Sequence, residues 1–301
     1  MNFSRKLITN TSYPRRVVVE RIGKAIRYSL SSSKTRGHQI CRPAQHIHIV
    51  KIMDDVIRLI PNLQLSHVHI KDWKSVGEKV THLIVGGHEK LQVIADFDFT
   101  LTKFHTNGMR KLSCHGVVEN YSKLPQHFKV KSREMFNKYY PIEIDQNISV
   151  EEKIPLMIEW YDGAHELLEN SNLFKCDFAC MVKENPIEFR DGTLQFMKDL
   201  NGSSIPILVF SAKNESSVPH SSTYFQDLSH RHNVILMGDS LGDLQMSKGV
   251  EPPSTILTIG FLNDKIEERL EKYKEEFDIV LVDDQTMNIP DSILRSVLAT
   301  N

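Results

Sequence analysis

The sequence predicts an α/β fold in which a mainly parallel β-sheet is covered by helices on both faces. Apolar segments of strand length recur along the chain, at 91–98, 205–212, 233–240, 255–262 and 278–284. They are nearly continuous apolar runs and do not alternate with polar residues, which is typical of strands buried on both faces. Helical patterns separate several of them, which favours parallel strands joined by helical crossovers.

The individual elements follow from local patterns. Residues 49–60 and 74–87 carry apolar side chains at helical spacing, and the glycines at 86 and 87 close the second helix. Helical signals dominate from about 105 to 190, where Ser149 and Glu152 form the capping-box pattern of a helix start. The charged, amphipathic segment 263–277 predicts a surface helix before the last strand.

Composition excludes several classes of protein. The 301 residues are 40% hydrophobic and 25% charged, with a net charge of −1, so no overall field attracts nucleic acid or anionic lipid. No apolar run approaches the roughly 18 residues that a membrane span requires. The four cysteines include no CxxC pair, which fits a reducing compartment.

The first 45 residues differ from the rest. They contain ten Lys or Arg residues and one acid, Glu20. A basic, serine-containing and acid-poor segment is either a disordered leader or a mitochondrial presequence. We expect a disordered leader and a cytoplasmic protein, with mitochondrial targeting as the alternative.

Two aspartates, Asp96 and Asp98, follow the apolar run in "VIADFDFTLTKF". Ser211 ends a second predicted strand, and Asp239 and Asp243 in "GDSLGD" follow a third. Ligands of parallel sheets bind beyond the carboxyl ends of the strands, so these side chains are expected to converge. Because clustered carboxylates repel, the pattern predicts a cation between them, and oxygen ligands suit Mg²⁺.

The same residues suit phosphoryl transfer. A carboxylate such as Asp96 can attack phosphorus and form an aspartyl-phosphate. Asp98 could protonate the leaving oxygen and then deprotonate water. Thr100 or Ser211 could bind phosphoryl oxygens, and Lys213 could neutralise their charge. Each motif alone is weak, because DxD also occurs in sugar transferases and "GDSLGD" could be a glycine turn; their order together is specific.

"DFDFTLT", "VFSA" and "GDSLGD" resemble the haloacid dehalogenase superfamily. "YYPIEID", "MIEWYDGAH", "VILMGDSLGDLQMSKGV", "LTIGFLND" and "FDIVLV" are similar to the cytosolic 5′-nucleotidase III family over about residues 50–298. The resemblance implies a Rossmann-like parallel sheet with an inserted helical cap. It also implies Asp96 as nucleophile, Asp98 as acid/base, and a magnesium shell of Asp96, Asp98 and Asp239.

The substrate-binding residues are likewise implied by the resemblance. Ser211 and Ala212 would hold phosphate, and Lys213 matches the motif lysine and is counted as catalytic. Glu143 matches the residue that contacts the nucleobase, with Trp160 and Tyr161 near the base. Helix packing is the alternative for these two aromatic residues. "YYPIEID", Ala164 and "GFLNDKIEER" are nearer the 7-methylguanosine-phosphate branch than the pyrimidine branch.

One departure from the family is large. Only Ala212 separates Ser211 from Lys213, where family members place several dozen residues. A helix, a strand and a hairpin of the usual fold are therefore expected to be absent, which shortens the sheet between Ala212 and Lys213.

The predicted organisation is a leader at 1–45, a core at 46–104 and 191–301, and a cap at 105–190. The predicted function is Mg²⁺-dependent hydrolysis of nucleoside 5′-monophosphates by a monomer that binds neither nucleic acid polymers nor membranes. The alternative is a shortened, weakly active or inactive nucleotide-binding paralogue or splice form. A phospho-aspartate receiver domain is disfavoured, because receivers are short and have no cap.

Overall fold

The computed structural model describes residues 59–145, 148–210, 227–248, 250 and 254–299. Its main feature is a six-stranded sheet in the order β1-β8-β7-β6-β2-β5. The strands are β1 (Val68–His69), β2 (Leu91–Asp96), β5 (Ile207–Phe210), β6 (Asn233–Gly238), β7 (Thr255–Leu262) and β8 (Ile279–Val282). All neighbouring strands are parallel except β1, which is antiparallel to β8. The prediction of an α/β fold with a mainly parallel sheet is therefore confirmed.

Both faces of the sheet are covered, as the continuous apolar strands indicate. Every residue of β2 and β6 is buried. On one face Val93, Ile235 and Ile259 pack into the largest apolar cluster, together with side chains of three helices. These helices are α1 (Trp73–Gly86), α6 (Thr193–Gly202) and α8 (Asn288–Leu298). On the other face, Val280 packs with Tyr273 and Phe277 at the end of α7 (Ile266–Glu276).

Three of the predicted strands, 91–98, 233–240 and 278–284, end two residues earlier in the structure than predicted, whereas the predicted strand 255–262 has the same bounds as β7. The predicted strand 91–98 stops at Asp96, where the chain enters a tight turn, Phe97–Leu101, with Phe99 in the left-handed region (φ 62°). The predicted strand 278–284 stops at Val282, and Asp283 has a φ of 53°. The predicted helix 49–60 lies almost wholly outside the described residues, as does the 1–45 leader.

Four further helices lie between β2 and α6 in the sequence. They are α2 (Cys114–Glu119), α3 (Gln126–Ile144), α4 (Val150–Glu169) and α5 (Lys175–Glu184), preceded by a small hairpin of β3 (His105–Thr106) and β4 (Met109–Arg110). The capping box of Ser149 and Glu152 is present at the start of α4, as predicted. α2 and α5 share an apolar cluster that includes Val117, Tyr121 and Met181, separate from the clusters on the sheet. In the described part of the chain, no helix is both long enough and apolar enough to cross a bilayer.

Candidate functional site

Three aspartates meet at the carboxyl end of the sheet. Asp96 ends β2, and Asp239 and Asp243 follow β6, the strand beside it. One carboxylate oxygen from each of the three lies within 4.8 Å of the others. Asp96 and Asp243 are each only 4% exposed. Three carboxylates at this separation repel each other, and a bound cation would offset that repulsion.

The glycine before Asp239 allows the cluster to form. A Cβ atom on Gly238 would lie 2.4 Å from Cβ and 2.7 Å from Oδ2 of Asp243, so only glycine leaves room for this carboxylate. The N–H groups of Asp239 and Ser240 donate to Asp243 Oδ2 at 3.0 and 2.8 Å. The Tyr273 hydroxyl donates to the Asp239 carbonyl at 2.7 Å. Hydrogen bonds within the loop and from Tyr273 therefore hold the "GDSLGD" segment in place.

The donor set fits a hard divalent cation. It consists of oxygen atoms alone, which Mg²⁺ prefers. It also lies at the carboxyl ends of two parallel strands, which is where ligands of such sheets bind. Asp98, which the resemblance places in the metal shell, is not a member of this three-residue group. Asp243, which the sequence places nearby but which the implied metal shell omits, is a member.

Asp98 lies in the turn after β2. Its Oδ1 accepts the N–H of Cys114, the first residue of α2, at 2.8 Å. The turn is closed by Thr102, whose hydroxyl oxygen accepts the N–H of Phe99 at 2.8 Å. Thr100, a predicted phosphate contact, is fully buried, and its hydroxyl has no hydrogen-bond partner among the described residues.

Arg190 supports the same turn and was not identified from the sequence. It is 1% exposed, and its Nε donates to the Thr100 carbonyl at 2.7 Å. Its two terminal nitrogens donate to the carbonyls of Phe99 and Asp284. Burial lowers the pKa of Arg190 to about 10, and the charges of Asp284, Asp239 and Asp283 oppose that shift. A single arginine in "EFRDG" carries no pattern that would reveal this role.

The predicted phosphate-binding residues Ser211, Ala212 and Lys213 lie outside the described residues. The strand that precedes them, β5, pairs with β2. Phe210, the last residue of β5, is the register partner of Asp96 on β2. The chain therefore leaves β5 directly beside the carboxylate cluster.

The predicted base-binding residues lie on α3 and α4. The Glu143 carbonyl accepts a hydrogen bond from Lys153 Nζ at 2.9 Å. The Trp160 ring is stacked with Tyr139, with ring centroids 5.8 Å apart. Tyr161 contacts the His165 ring, at a centroid distance of 4.0 Å. Trp160 thus contacts a ring of the neighbouring helix α3, and Tyr161 contacts a ring of its own helix.

The chain matches the family model described as "Pyrimidine 5'-nucleotidase (UMPH-1)" in two stretches, residues 99–213 and 212–298. Together they span about two thirds of the sequence. The two stretches meet at residues 212 and 213, where a break in the family spacing is expected.

Curated relatives and a solved structure agree with this match. The 7-methylguanosine phosphate-specific 5′-nucleotidase A of Xenopus laevis is 35% identical over 288 aligned positions, which cover 80% of this chain and 99% of the relative. The human 7-methylguanosine phosphate-specific 5′-nucleotidase is 35% identical over 285 positions, covering 79% and 95%. A crystal structure of cytosolic 5′-nucleotidase IIIB bound to cytidine superposes with a TM-score of 0.72 at 29% identity, covering 81% and 97%. The family match, these identities and the shared fold establish that the chain belongs to the pyrimidine 5′-nucleotidase (UMPH-1) family and is a 5′-nucleotidase.

Proposed function

We propose that this chain is a Mg²⁺-dependent 5′-nucleotidase that hydrolyses nucleoside 5′-monophosphates to nucleoside and phosphate. The substrates are 7-methylguanosine monophosphate, pyrimidine monophosphates such as CMP, or both. The observation that carries the proposal is the cluster of Asp96, Asp239 and Asp243 at the carboxyl ends of two adjacent parallel strands. The names of the relatives support the substrate class, since they include both 7-methylguanosine-phosphate-specific enzymes and a cytidine complex.

The proposed reaction has two steps. The Asp96 carboxylate attacks phosphorus, the P–O5′ bond breaks, and Asp98 gives its proton to the departing nucleoside oxygen. Asp98 then removes a proton from water, which attacks the phosphorus of the aspartyl-phosphate. Phosphate leaves and the Asp96 carboxylate is restored. Bound Mg²⁺ would offset the negative charge of the carboxylates and the phosphoryl oxygens.

The proposed metal-binding residues are Asp96, Asp98 and Asp239, which the resemblance implies. We add Asp243, because its carboxylate lies in the same group as those of Asp96 and Asp239. Asp243 also has a structural task, because it accepts two N–H groups of the loop that carries Asp239. Of these aspartates, Asp98 is the one held at the start of α2, outside the three-carboxylate group. This position favours acid/base chemistry as its main role.

Substrate binding completes the proposal. Ser211, Ala212 and Lys213 would bind the phosphate, Lys213 also acting in catalysis, and the course of β5 towards Asp96 supports this. We assign binding of the nucleobase to Glu143, Trp160 and Tyr161. A ring that stacks on a cationic base such as 7-methylguanine gains a cation–π contribution of about 0.5–2 kcal/mol.

The proposed organisation has three parts: a leader at 1–45, a core at 46–104 and 191–301, and a cap at 105–190 formed by α2 to α5. We infer a monomer in the cytoplasm; the description of one solved relative as cytosolic supports the location. We also infer a sheet shortened between Ala212 and Lys213. The alignment with the Xenopus relative supports this inference. It has 288 positions but includes only 80% of the 301 residues of this chain, which is about 240, so several dozen positions of the relative are aligned with gaps.

Phosphate release from a panel of nucleoside monophosphates, with Mg²⁺ and with a chelator, tests this function. We expect release that requires Mg²⁺ and falls by orders of magnitude in Asp96→Asn, because the covalent route is then lost. Asp72→Asn is the control, since Asp72 is an exposed helix cap and Asn caps equally well. Near-wild-type hydrolysis by Asp96→Asn would exclude the mechanism.

The second candidate is a nucleotide-binding protein with weak or no turnover. The family match in two stretches, which meet at 212 and 213, favours it. Calorimetric binding of a nucleoside monophosphate without phosphate release would select this candidate.

A further inference from the structure

Arg190 donates hydrogen bonds to the segments that directly follow three strands, β2, β7 and β8, close to the proposed catalytic site. Its guanidinium donates to Phe99 and Thr100 in the turn after β2. It also donates to Asn263 Oδ1 at 2.9 Å, directly after β7, and to the Asp284 carbonyl after β8. Lysine could not reproduce this arrangement, because only a planar fork can donate in several fixed directions at once.

The arginine is itself held in place. Its backbone N–H donates to the Leu101 carbonyl at 3.0 Å, and the neighbouring Phe189 forms an isolated bridge with Thr102. The guanidinium carbon lies 4.1 Å from the centre of the Phe261 ring, on β7. Both its backbone and its side chain therefore belong to the packed interior.

The turn that Arg190 binds needs such support. Phe99 has a φ of 62°, a conformation that is unfavourable for a bulky residue and persists only where surrounding contacts impose it. Its carbonyl accepts from Arg190 and from Asn263 Nδ2, the latter at 3.1 Å. Asp98, the proposed acid/base, is the residue immediately before Phe99. A small shift of this turn would move the Asp98 carboxylate relative to Asp96.

We propose that Arg190 is a positioning residue that fixes the Phe97–Leu101 turn and thereby aims Asp98 at the leaving oxygen of the substrate. This inference rests on the proposed function. Arg190 acts through Asp98 and does not itself touch the substrate. Its removal should therefore impair proton transfer to the leaving group more than it impairs attack by Asp96.

The chain offers a matched control at the opposite end of β2. Arg231 also donates to three backbone carbonyls, those of His88 and Leu91 at 2.8 and 2.7 Å and that of Ser204 at 3.0 Å. It thus resembles Arg190 in its bonding, but it lies at the amino end of the sheet. Arg231→Lys should affect stability without affecting the alignment of Asp98.

The experiment compares two leaving groups in the first chemical step. A nucleoside oxygen needs a proton to leave, whereas the p-nitrophenolate of p-nitrophenyl phosphate leaves without one. In rapid single-turnover measurements, Arg190→Lys should slow phosphoryl transfer from the nucleotide by about 10–100-fold. Release of p-nitrophenolate in the same first turnover should change by less than about threefold. Arg231→Lys should show no difference between the two substrates.

Equal losses on both substrates, or no loss, would overturn the inference. If Arg190→Lys does not fold, Asn263→Ala removes one acceptor of Arg190 and one donor to Phe99, and it should show the same substrate difference more weakly. A wild-type chain that transfers phosphate from neither substrate refutes the proposed function instead. Amide exchange then decides the positioning role: the peptide containing residues 97–102 should exchange faster in Arg190→Lys than in Arg231→Lys, and unchanged exchange would contradict it.

Discussion

At the scale of the single residue, Gly238 decides whether the carboxylate cluster can form. It ends β6, and Asp243 folds back over it closely enough to accept two N–H groups from the intervening loop. The missing side chain is what permits this approach, because a Cβ atom would lie 2.4 Å from the Asp243 Cβ. Such a contact requires the backbone or Asp243 to move.

Gly238→Ala should therefore displace Asp243 and weaken metal binding. We expect the Mg²⁺ concentration for half-maximal activity to rise by about tenfold or more, as for the loss of a group that orients a metal ligand. Gly242→Ala, in the same loop, is the control. A Cβ there would meet only the Ser240 hydroxyl, at 3.7 Å. If both variants show the same Mg²⁺ dependence as the wild type, the close packing at Gly238 is not what holds the site.

At the scale of the elements, a half-buried carboxylate ties α2 to α3. Glu119, at the end of α2, accepts from the Ser132 hydroxyl on α3 and lies 3.3 Å from His115 Nε2, one turn earlier. The hydrogen bond with His115 is the main cause that lowers the pKa of Glu119, and the bond from Ser132 acts in the same direction; burial opposes them. The ionised carboxylate is thus stabilised in the folded helical segment.

A lowered pKa makes this contribution depend on pH in a defined direction. Folding favours the charged form, so the stabilisation is present above the ordinary pKa of 4.5 and is lost as pH falls through the lower folded value. Glu119→Gln should therefore reduce Tm at pH 6 and have less effect near pH 3. Glu134→Gln, at an exposed position of α3, is the control. A constant Tm difference between Glu119→Gln and wild type from pH 6 to pH 3 would contradict the assignment.

At the scale of the whole molecule, β5 is the edge of the described sheet. It pairs with β2 in the described residues, and its four residues Ile207–Phe210 are all apolar. Unlike β2 and β6, β5 contains no buried residue, and Val209 is 38% exposed. An apolar edge strand with open backbone groups favours association with other chains. The proposed interruption of the family spacing follows this strand in the sequence.

Restoring a family-length segment between Ala212 and Lys213 should therefore stabilise the protein. Covering a few hundred Å² of apolar surface contributes several kcal/mol at about 25 cal/mol per Å², a large share of the roughly 5–15 kcal/mol that keeps a domain folded. We expect the restored chain to melt at a higher temperature, aggregate less and release phosphate faster. The short and restored chains should be compared by thermal melting and phosphate release. Equal melting and turnover would mean that the short spacing has no consequence.

The sequence by itself was sufficient for the features that local patterns encode. The continuous apolar runs predicted the parallel strands β2, β6 and β7, and the spacing of Ser149 and Glu152 predicted the start of α4. The aspartates at strand ends predicted the convergence of Asp96 with Asp239 and Asp243, because the carboxyl ends of parallel strands lie on the same side of a sheet. The motifs also identified the family. These inferences succeed because each depends on residues close together in the chain or on a general rule of sheet topology.

Tertiary structure decided the contacts between residues far apart in the chain. Trp160 stacks on Tyr139 of a different helix, and Arg190 binds the Phe97–Leu101 turn about 90 residues before it. The close approach of Asp243 to Gly238, where a Cβ atom would lie 2.4 Å from the Asp243 Cβ, is likewise visible only in the folded structure. No local pattern contains these distances, because they arise when separate elements pack against each other. The fold class and the family therefore follow from the sequence, whereas the alignment of the side chains at the proposed site depends on packing in three dimensions.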